Sequence, residues 1–226
     1  MQSLLYSIWT WPAISHHGLH HLSTFLKAGC VNCLRLSYNN LLSANATFGI
    51  FAKQLKNNTT LKTLWLQSCG LNSQSAESLA EALTTNKHLE VLYLPMNALC
   101  DDGIQHLAHA LRINQGLKEL SLNNCGMTDV GMECLVKCLQ HNNVLTELYV
   151  CSDYNAKNPN GLTEKIVPVL TEFLQKNHTL TKLVLPQNLK SSRAHIEEAV
   201  NDVRKRRGLP LIGVEGRSMS VHVPSL

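Results

Sequence analysis

The sequence is poor in aromatic and charged residues, and it has no long apolar run. Only 5% of its 226 residues are aromatic and 16% are charged, whereas 44% are hydrophobic. A folded core must therefore be built mainly from aliphatic side chains. No window approaches the roughly 18 consecutive apolar residues of a membrane-spanning helix. These features predict a soluble folded chain without membrane insertion.

A strong excess of one charge is also missing. The net charge is +4, and the basic residues are scattered except for the run from Arg204 to Arg207. This balance is too weak for a nucleic-acid-binding surface, so we expect no nucleic acid partner. We interpret the run as cations in the last turn of a helix, where they complement the helix dipole, with a nuclear import signal as the alternative.

The sequence contains no recognisable catalytic or cofactor-binding motif. It lacks the G-x-x-x-x-G-K-[ST] loop that holds nucleotide phosphates, and it has no Ser-His-Asp or Cys-His set. Cys30 and Cys33 form a C-x-x-C pair, but no second pair has matching spacing. The histidine-rich segment 16–21 is typical of a solvated surface. We expect no enzyme activity, no cofactor and no metal site.

The first residues differ from a secretory signal. Residues 4–14 are moderately apolar, but they lack a basic leading region and contain Trp9, Trp11 and Pro12. The chain has eight cysteines, yet a protein with a large apolar core has little need of disulfide staples. We predict a cytoplasmic protein with reduced thiols.

An internal repeat decides the fold class. Leu61, Leu89, Leu117 and Leu145 begin segments of the same pattern, each 28 residues after the one before. The first half of each segment reads L-x-x-L-x-L-x-x-N/C-x-L, whose alternating leucines predict a short strand. The second half has leucines four residues apart, which predicts a helix. Each unit is therefore one strand, one turn and one helix.

Further copies extend the array in both directions. Val31 begins a copy 30 residues before Leu61, and Leu180 begins another 35 residues after Leu145. Seven extra residues must loop out of the Leu145 copy, and the polar stretch 153–161 is the predicted place. We predict three regions: a degenerate N-terminal repeat or cap (1–30), the repeats (31–190, starting near 31, 61, 89, 117, 145 and 180), and a capping helix with a tail (191–226).

These units predict an α/β leucine-rich-repeat solenoid of about six repeats. Its parallel sheet lines the concave face of a horseshoe, and its helices form the convex face, because helices occupy more width than strands. The ninth residue of each unit must satisfy backbone groups where the strand turns away. The predicted ladder residues at this position are Asn39, Cys69, Asn97, Cys125, Asp153 and Asn188.

The period, the ninth-position Asn or Cys and the full helix per unit resemble the ribonuclease-inhibitor-like class of leucine-rich repeats. The segments 58–66 and 177–185 resemble the C-terminal repeat arm of NOD-like receptors, and the resemblance covers about residues 18–188. It implies a ligand-sensing module. The nucleotide-binding and effector domains of those receptors have no counterpart in this sequence, which leaves a fragment or a stand-alone repeat protein as alternatives. Because the sequence begins in what resembles the middle of a repeat, we expect a truncated or divergent product.

The residues between the two central leucines of each strand are predicted to face the concave side. That slot contains Arg35, Trp65, Tyr93, Ser121, Tyr149 and Val184. Exposed aromatic residues in one column form a candidate binding hot spot, although aromatic residues also favour strands for packing alone. Neighbouring slots add Glu119 and Glu147 beside Lys182, and they add Gln67, Met96 and Asn123. The predicted ligand-binding residues are Arg35, Trp65, Tyr93, Glu119, Glu147, Tyr149 and Lys182.

The function predicted from these features is non-catalytic recognition of a protein or microbial product on the concave face, in innate immune signalling of the NOD-like-receptor type. Two alternatives stay open. Activators of the Ran GTPase are similar repeat proteins that use a rim arginine, for which Arg35 and Arg112 are candidates, but they carry an acidic tail that this chain lacks. The second is a ribonuclease-inhibitor-like protein that blocks an enzyme, which would need more repeats and more acidic residues than this chain has.

Overall fold

The fold is taken from a computed structural model. It describes residues 6–8, 14, 16–41, 45–153, 156–157 and 159–215. Within these residues lie eight strands: β1 (Tyr6–Ile8), β2 (Cys33–Arg35), β3 (Thr63–Trp65), β4 (Val91–Tyr93), β5 (Glu119–Ser121), β6 (Glu147–Tyr149), β7 (Lys182–Val184) and β8 (Gly213–Glu215). They alternate with helices α1 (His16–Ala28), α2 (Asn45–Asn57), α3 (Ser73–Leu83), α4 (Cys100–Leu111), α5 (Asp129–Leu139), α6 (Val167–Lys176) and α7 (Lys190–Arg206).

The strands form one open parallel sheet in chain order from β1 to β8. The register pairs equivalent residues of successive repeats, so Leu64 lies opposite Leu34 on one side and Leu92 on the other. Parallel neighbours need a crossover connection, and one helix supplies it at each step. The predicted fold class, a leucine-rich-repeat α/β solenoid, is confirmed.

Leucines from the strands and the helices meet in one continuous core. The middle residue of every strand from β2 to β7 is a leucine that is at most 2% exposed. The helix leucines spaced four residues apart, such as Leu107 and Leu111, are equally buried. Burial of this apolar surface is the main stabilising contribution, because no unit can bury its own face alone. Among the described helices, none combines the length and apolar character that crossing a membrane requires.

The chain leaves each of four strands through a left-handed residue at the eighth position of the repeat. These residues are Tyr38, Ser68, Met96 and Asn124, with φ between 52° and 65°. The left-handed region costs a non-glycine side chain about 1 kcal/mol or more. The turn redirects the ninth residue into the core, where its polar group is needed.

Asn97 shows how the ninth residue stabilises the turn. Its side-chain oxygen accepts hydrogen bonds from the backbone N–H groups of Cys69 and Leu71 in the preceding repeat, both at 3.0 Å. Its amide donates to the carbonyls of Leu66 and Leu94 at 2.8 and 2.7 Å. These backbone groups would otherwise be buried without partners.

Asn39, Cys69 and Cys125 are buried at the equivalent points. The amide of Asn39 and the thiol of Cys69 both donate to the carbonyl of Leu36, at 2.8 and 3.1 Å. The Cys125 thiol donates to the carbonyl of Leu94 at 3.2 Å. Burial raises the pKa of both thiols to about 12, so they stay protonated at neutral pH.

In the Leu145 repeat, Asn160 takes the ladder place instead of Asp153. The side-chain oxygen of Asn160 accepts from the N–H groups of Cys125 and Met127 at 3.0 and 3.1 Å, and its amide donates to the carbonyl of Leu122 at 2.9 Å. Asp153 is exposed. The physical reason is that the seven extra residues enter before the ladder position, so the repeat pattern resumes only at Asn160.

Asn188 departs from the predicted ladder as well. It is exposed within a short 3-10 turn, Gln187–Leu189, which leads straight into α7. Its amide donates to the carbonyl of Leu162 at 2.6 Å. Because the chain turns into α7 immediately after Pro186, this asparagine does not enter the core.

A second asparagine ladder, which the sequence did not lead us to predict, joins the helix ends to the following strands. Asn114 is typical: its amide donates to the carbonyls of Leu83 and Asn86 at 2.7 and 2.8 Å. Its oxygen accepts from the N–H groups of Gly116 and Leu117. The signal was an asparagine three residues before each repeat start from Leu61 onwards. The members are Asn58, Asn86, Asn114, Asn142 and Asn177.

The basic run at the end of α7 is divided between the core and the surface. Arg204 lies four residues after the buried Val200 and is 0% exposed, whereas Lys205 and Arg206 are exposed. The run lies in the last turn of α7, as the helix-dipole interpretation expects, but burial of Arg204 was not predicted. No guanidinium nitrogen of Arg204 has a hydrogen-bond partner among the described residues, and burial lowers the pKa of this group.

Candidate binding surface

The strand register aligns one side chain per repeat into a column across the sheet. Because side chains alternate along a strand and the central leucines face the helices, this column lies on the opposite side, which we call the open sheet face. Ser121 and Val184 are buried, and the other four members are partly exposed. The column consists of Arg35, Trp65, Tyr93, Ser121, Tyr149 and Val184.

Three neighbouring members of the column form a stack. The rings of Trp65 and Tyr93 lie 4.1 Å apart between centroids and are inclined by 20°. The guanidinium carbon of Arg35 lies 5.0 Å from the centroid of the Trp65 ring, within the range of a cation–π interaction. Cross-strand packing of this kind holds the side chains in place without a ligand. The stack is a preformed, partly exposed aromatic surface.

The tyrosines of the column are tied to acidic residues in the adjacent slot. The hydroxyl of Tyr93 donates a hydrogen bond to Glu119, and that of Tyr149 donates to Glu147. Lys182 Nζ lies 3.9 Å from the Glu147 carboxylate and 5.2 Å from the centroid of the Tyr149 ring. The seven predicted ligand-binding residues therefore form one connected strip, in which the Tyr93–Glu119 hydrogen bond joins the Trp65 stack to the residues around Glu147.

The charges of the open sheet face are unevenly distributed. Burial raises the pKa of Glu119 above its ordinary value, and the nearby charge of Glu147 adds to this effect. Burial and hydrogen bonding to the carboxylates raise the pKa of Tyr93 and Tyr149 far above the ordinary value, so both phenols stay neutral. The Arg35 end is cationic, and the Glu119–Glu147 region is anionic.

A small side chain interrupts the aromatic column. Ser121 is 1% exposed and lies between the strand positions of Tyr93 and Tyr149, so the surface dips there. The Ser121 hydroxyl and the indole nitrogen of Trp65 have no hydrogen-bond partner within the described residues. Buried polar atoms without partners are costly, and both atoms belong to side chains of the column.

The polar slots beside the column have separate roles. Gln67 donates to the hydroxyl of Tyr38 at 2.8 Å and to the sulfur of Met96 at 3.7 Å. Tyr38 is 60% exposed, so it extends the aromatic surface, although the column pattern did not include it. Asn123 accepts a hydrogen bond from the Cys151 N–H at 2.6 Å and so supports the end of β6.

The inserted loop begins beside this surface. The backbone N–H of Asp153 donates to the side-chain oxygen of Asn124 at 2.7 Å, and the buried Asn160 fixes the other end of the loop. Residues 154, 155 and 158 lie outside the described residues. Closure of the loop over the open sheet face stays a prediction.

Other residues weighed in the sequence lie elsewhere. Arg112 is exposed at the C-terminal end of α4, on the helical side, so it does not approach Arg35. The described residues bring no set of further metal-ligating side chains to Cys30 and Cys33. His17 and its described histidine neighbours are exposed on α1.

Comparisons with known proteins agree with this geometry. A family model described as "Leucine Rich repeat" matches residues 57–80 and 114–136. No curated protein matches the chain significantly. Similar solved structures include the tropomodulin C-terminal domain from Caenorhabditis elegans (13% identity, TM-score 0.52, covering 84% of this chain and 95% of that one). Another is "Leiomodin-1 Actin-Binding Site 2 (ABS2)" (17% identity, TM-score 0.47, 84% and 89%). This chain is a leucine-rich-repeat solenoid.

Proposed function

We propose that the protein is a non-catalytic interaction module that binds a protein partner on its open sheet face. The observation that carries this proposal is the preformed stack of Arg35, Trp65 and Tyr93. Aromatic and arginine side chains held in place before binding lose little conformational entropy, which is why they dominate interface hot spots. A repeat scaffold adds a rigid, extended surface around them.

The charge distribution defines the partner further. The cationic Arg35 end favours an acidic group on the partner, while the Glu119–Glu147 region favours a basic one. Complementary charges fix the orientation of a partner and raise the association rate more than the affinity. A protein surface with apolar, acidic and basic groups in one strip satisfies this pattern.

The finer assignment is a cytoplasmic role in innate immune recognition of the NOD-like-receptor type. It rests on the resemblance of residues 58–66 and 177–185 to the repeat arm of those receptors. All eight cysteines are free, which supports a reducing compartment. No specific observation favours the Ran-activator or the enzyme-blocker alternative, since Arg35 is engaged by Trp65 and Arg112 lies on the helical side.

Affinity capture with matched variants tests the proposal. The open-face variant carries Trp65→Ala, Tyr93→Ala and Tyr149→Ala. The control carries Phe25→Ala, Ile113→Ala and Val130→Ala, which remove exposed apolar side chains elsewhere. Binding to a captured partner is then measured with the purified proteins. Circular dichroism verifies that each variant is folded.

We expect the control to bind like the wild type and the open-face variant to lose the partner. Loss of one hot-spot side chain costs about 2 kcal/mol, which is roughly 30-fold in Kd. Arg35→Glu provides a second test, because it reverses the charge at the cationic end and removes the cation–π contact with Trp65. Equal binding by the wild type, the open-face variant and Arg35→Glu would overturn the proposal.

A further inference from the structure

A cluster of potential metal ligands lies on the helical side, away from the open sheet face. His109 belongs to α4, and Cys134 and Cys138 belong to α5. Their ligand atoms all lie within 4.8 Å of one another. The two cysteines are one helical turn apart and share a face of α5, and α4 packs directly against this helix. Among the described residues, no other group of three is as close.

The repeat pattern does not account for these cysteines. The position of Cys138 is occupied by alanine in the two preceding repeats, at Ala82 and Ala110, and that of Cys134 by Ser78 in the Leu61 repeat. Packing of the helices therefore does not require sulfur there. The ladder cysteines, by contrast, donate hydrogen bonds to strand carbonyls. A separate role explains why two thiols and an imidazole meet at this one helix pair.

We propose that His109, Cys134 and Cys138 bind a zinc ion, with the fourth coordination position open to solvent. Thiolate and imidazole are the preferred ligands of zinc, whereas calcium and magnesium require oxygen ligands. Zn–S and Zn–N bonds of about 2.3 and 2.1 Å separate tetrahedral ligand atoms by roughly 3.5–3.8 Å. Side-chain rotations that move the ligand atoms by about 1 Å therefore bring them from their present spacing to the spacing of a zinc site.

The surroundings of the cluster allow metal entry. His109 is exposed, Cys134 is partly exposed and Cys138 is 9% exposed, so an ion approaches from solvent on the histidine side. Burial raises the pKa of the Cys138 thiol, the adjacent Cys134 adds to this effect and Arg112 opposes it, so zinc must displace the Cys138 proton when it binds. The bound ion links two adjacent repeats. It therefore acts as a staple on the helical side, separately from partner binding.

Cobalt substitution tests this site on the intact chain. The metal-free, reduced protein is titrated with Co²⁺, and zinc is then added to displace it. We expect one equivalent to give thiolate-to-cobalt charge transfer and the visible bands of four-coordinate cobalt. Cys134→Ser, Cys138→Ser and His109→Gln each weaken binding by more than the roughly 10- to 100-fold that loss of an outer-shell partner costs. The matched controls Cys100→Ser and His106→Gln bind normally.

Thiol labelling of the unmodified sequence provides a second readout that needs no variant. Zinc is expected to slow the alkylation of Cys134 while the exposed Cys30 and Cys100 react as before. Zinc also raises the midpoint of thermal unfolding, because it binds the folded state. Absence of cobalt charge transfer would overturn the proposal. So would cobalt bands that persist in all three ligand variants, or Cys134 labelling that zinc leaves unchanged.

Discussion

At the scale of single residues, the ladder asparagines connect successive repeats through the backbone. Asn160→Ala removes hydrogen bonds to the N–H groups of Cys125 and Met127 and leaves these groups buried. A buried group without a partner costs about 1–3 kcal/mol, so we expect the free energy of unfolding to fall by at least about 2 kcal/mol. Urea denaturation monitored by circular dichroism measures the change.

Asp153→Ala is the matched control for Asn160→Ala. Its side chain is exposed, so the expected change in the free energy of unfolding is within about 0.5 kcal/mol. Equal losses in the two variants would show that the ladder assignment in this repeat is wrong.

The forward count places the ladder residue in the repeats that start at Val31, Leu61, Leu89 and Leu117. It fails in the Leu145 repeat, where an insertion interrupts the spacing, and at Asn188, where the chain turns into α7. Asn97 follows from counting nine residues from Leu89. In the Leu145 repeat the same count ends at Asp153, because nothing in a forward count shows where an insertion begins. Counting backwards finds it: Asn160-Gly-Leu162 matches Cys125-Gly-Met127. Asn160 is buried because the backbone groups of the preceding repeat need hydrogen-bond partners. That requirement depends on the three-dimensional arrangement and not on the number of residues counted along the chain.

Arg204 is a buried charge that has no hydrogen-bond partner among the described residues. Burying an unpaired guanidinium is unfavourable, and an apolar side chain of similar length avoids that cost. We expect Arg204→Met to stabilise the protein by about 1 kcal/mol or more, seen as a higher midpoint of thermal unfolding. Lys205→Met, at an exposed position, serves as the control and should change little. A lower midpoint for Arg204→Met would mean that the arginine has a stabilising partner.

At the scale of elements, tight contacts between neighbouring repeats depend on glycine. A Cβ added to Gly116 would lie 2.6 Å from the backbone carbonyl carbon of Lys87 in the preceding repeat. Gly116→Ala must therefore move one repeat against the next, and we expect a loss of about 1–3 kcal/mol. Gly161→Ala meets no atom within 4 Å and should be neutral. Chemical denaturation of both variants compares them, and similar stabilities would contradict this account of repeat spacing.

An ion-pair ladder joins three repeats next to the strands. Glu90 contacts Lys62 at 2.8 Å and Lys118 at 2.7 Å. Hydrogen bonds to Lys118 and Lys62 lower the pKa of Glu90 from its ordinary 4.5 to about 2. The folded state favours the ionised form of Glu90 more than the unfolded state does. The ion pairs therefore contribute fully to the free energy of unfolding above pH 4.5, and this contribution is lost as the pH falls towards 2.

Glu90→Gln should therefore lower the free energy of unfolding at neutral pH, and the difference from the wild type should disappear in acid. The pair is largely exposed, so the difference is no more than about 1 kcal/mol. Denaturation of the wild type and the variant between pH 7 and pH 2 measures it. A difference that stays constant or grows in acid would contradict the assigned cause.

Most strands and helices could be predicted from the sequence, because leucines two residues apart alternate with leucines four residues apart and each repeat buries the same positions. The N-terminal edge of the sheet did not follow in the same way. β1 pairs with β2 through Tyr6–Ile8, where the sequence carries no repeat motif. Its place is set by the unpaired edge of β2, which offers backbone groups to any extended segment. Edge pairing of this kind leaves little trace in side-chain periodicity.

At the scale of the whole molecule, the two sides of the solenoid have different chemistry. The open sheet face presents aromatic and charged side chains in register, and the helical side presents a thiol–imidazole cluster between α4 and α5. The sequence predicted the column, because parallel register repeats every unit. It did not predict the cluster, since His109 and Cys134 belong to different repeats and no linear spacing relates them.

Site-specific photo-crosslinking tests the central claim, that the open sheet face binds the partner, most directly. A photoreactive amino acid replaces Val91, which lies on that face between Thr63 and Glu119, or Glu77, which is exposed on α3. We predict covalent capture of a partner from the Val91 position, lost when Trp65→Ala is added, and none from Glu77. Capture from Glu77 alone would contradict the account and assign binding to the helical side.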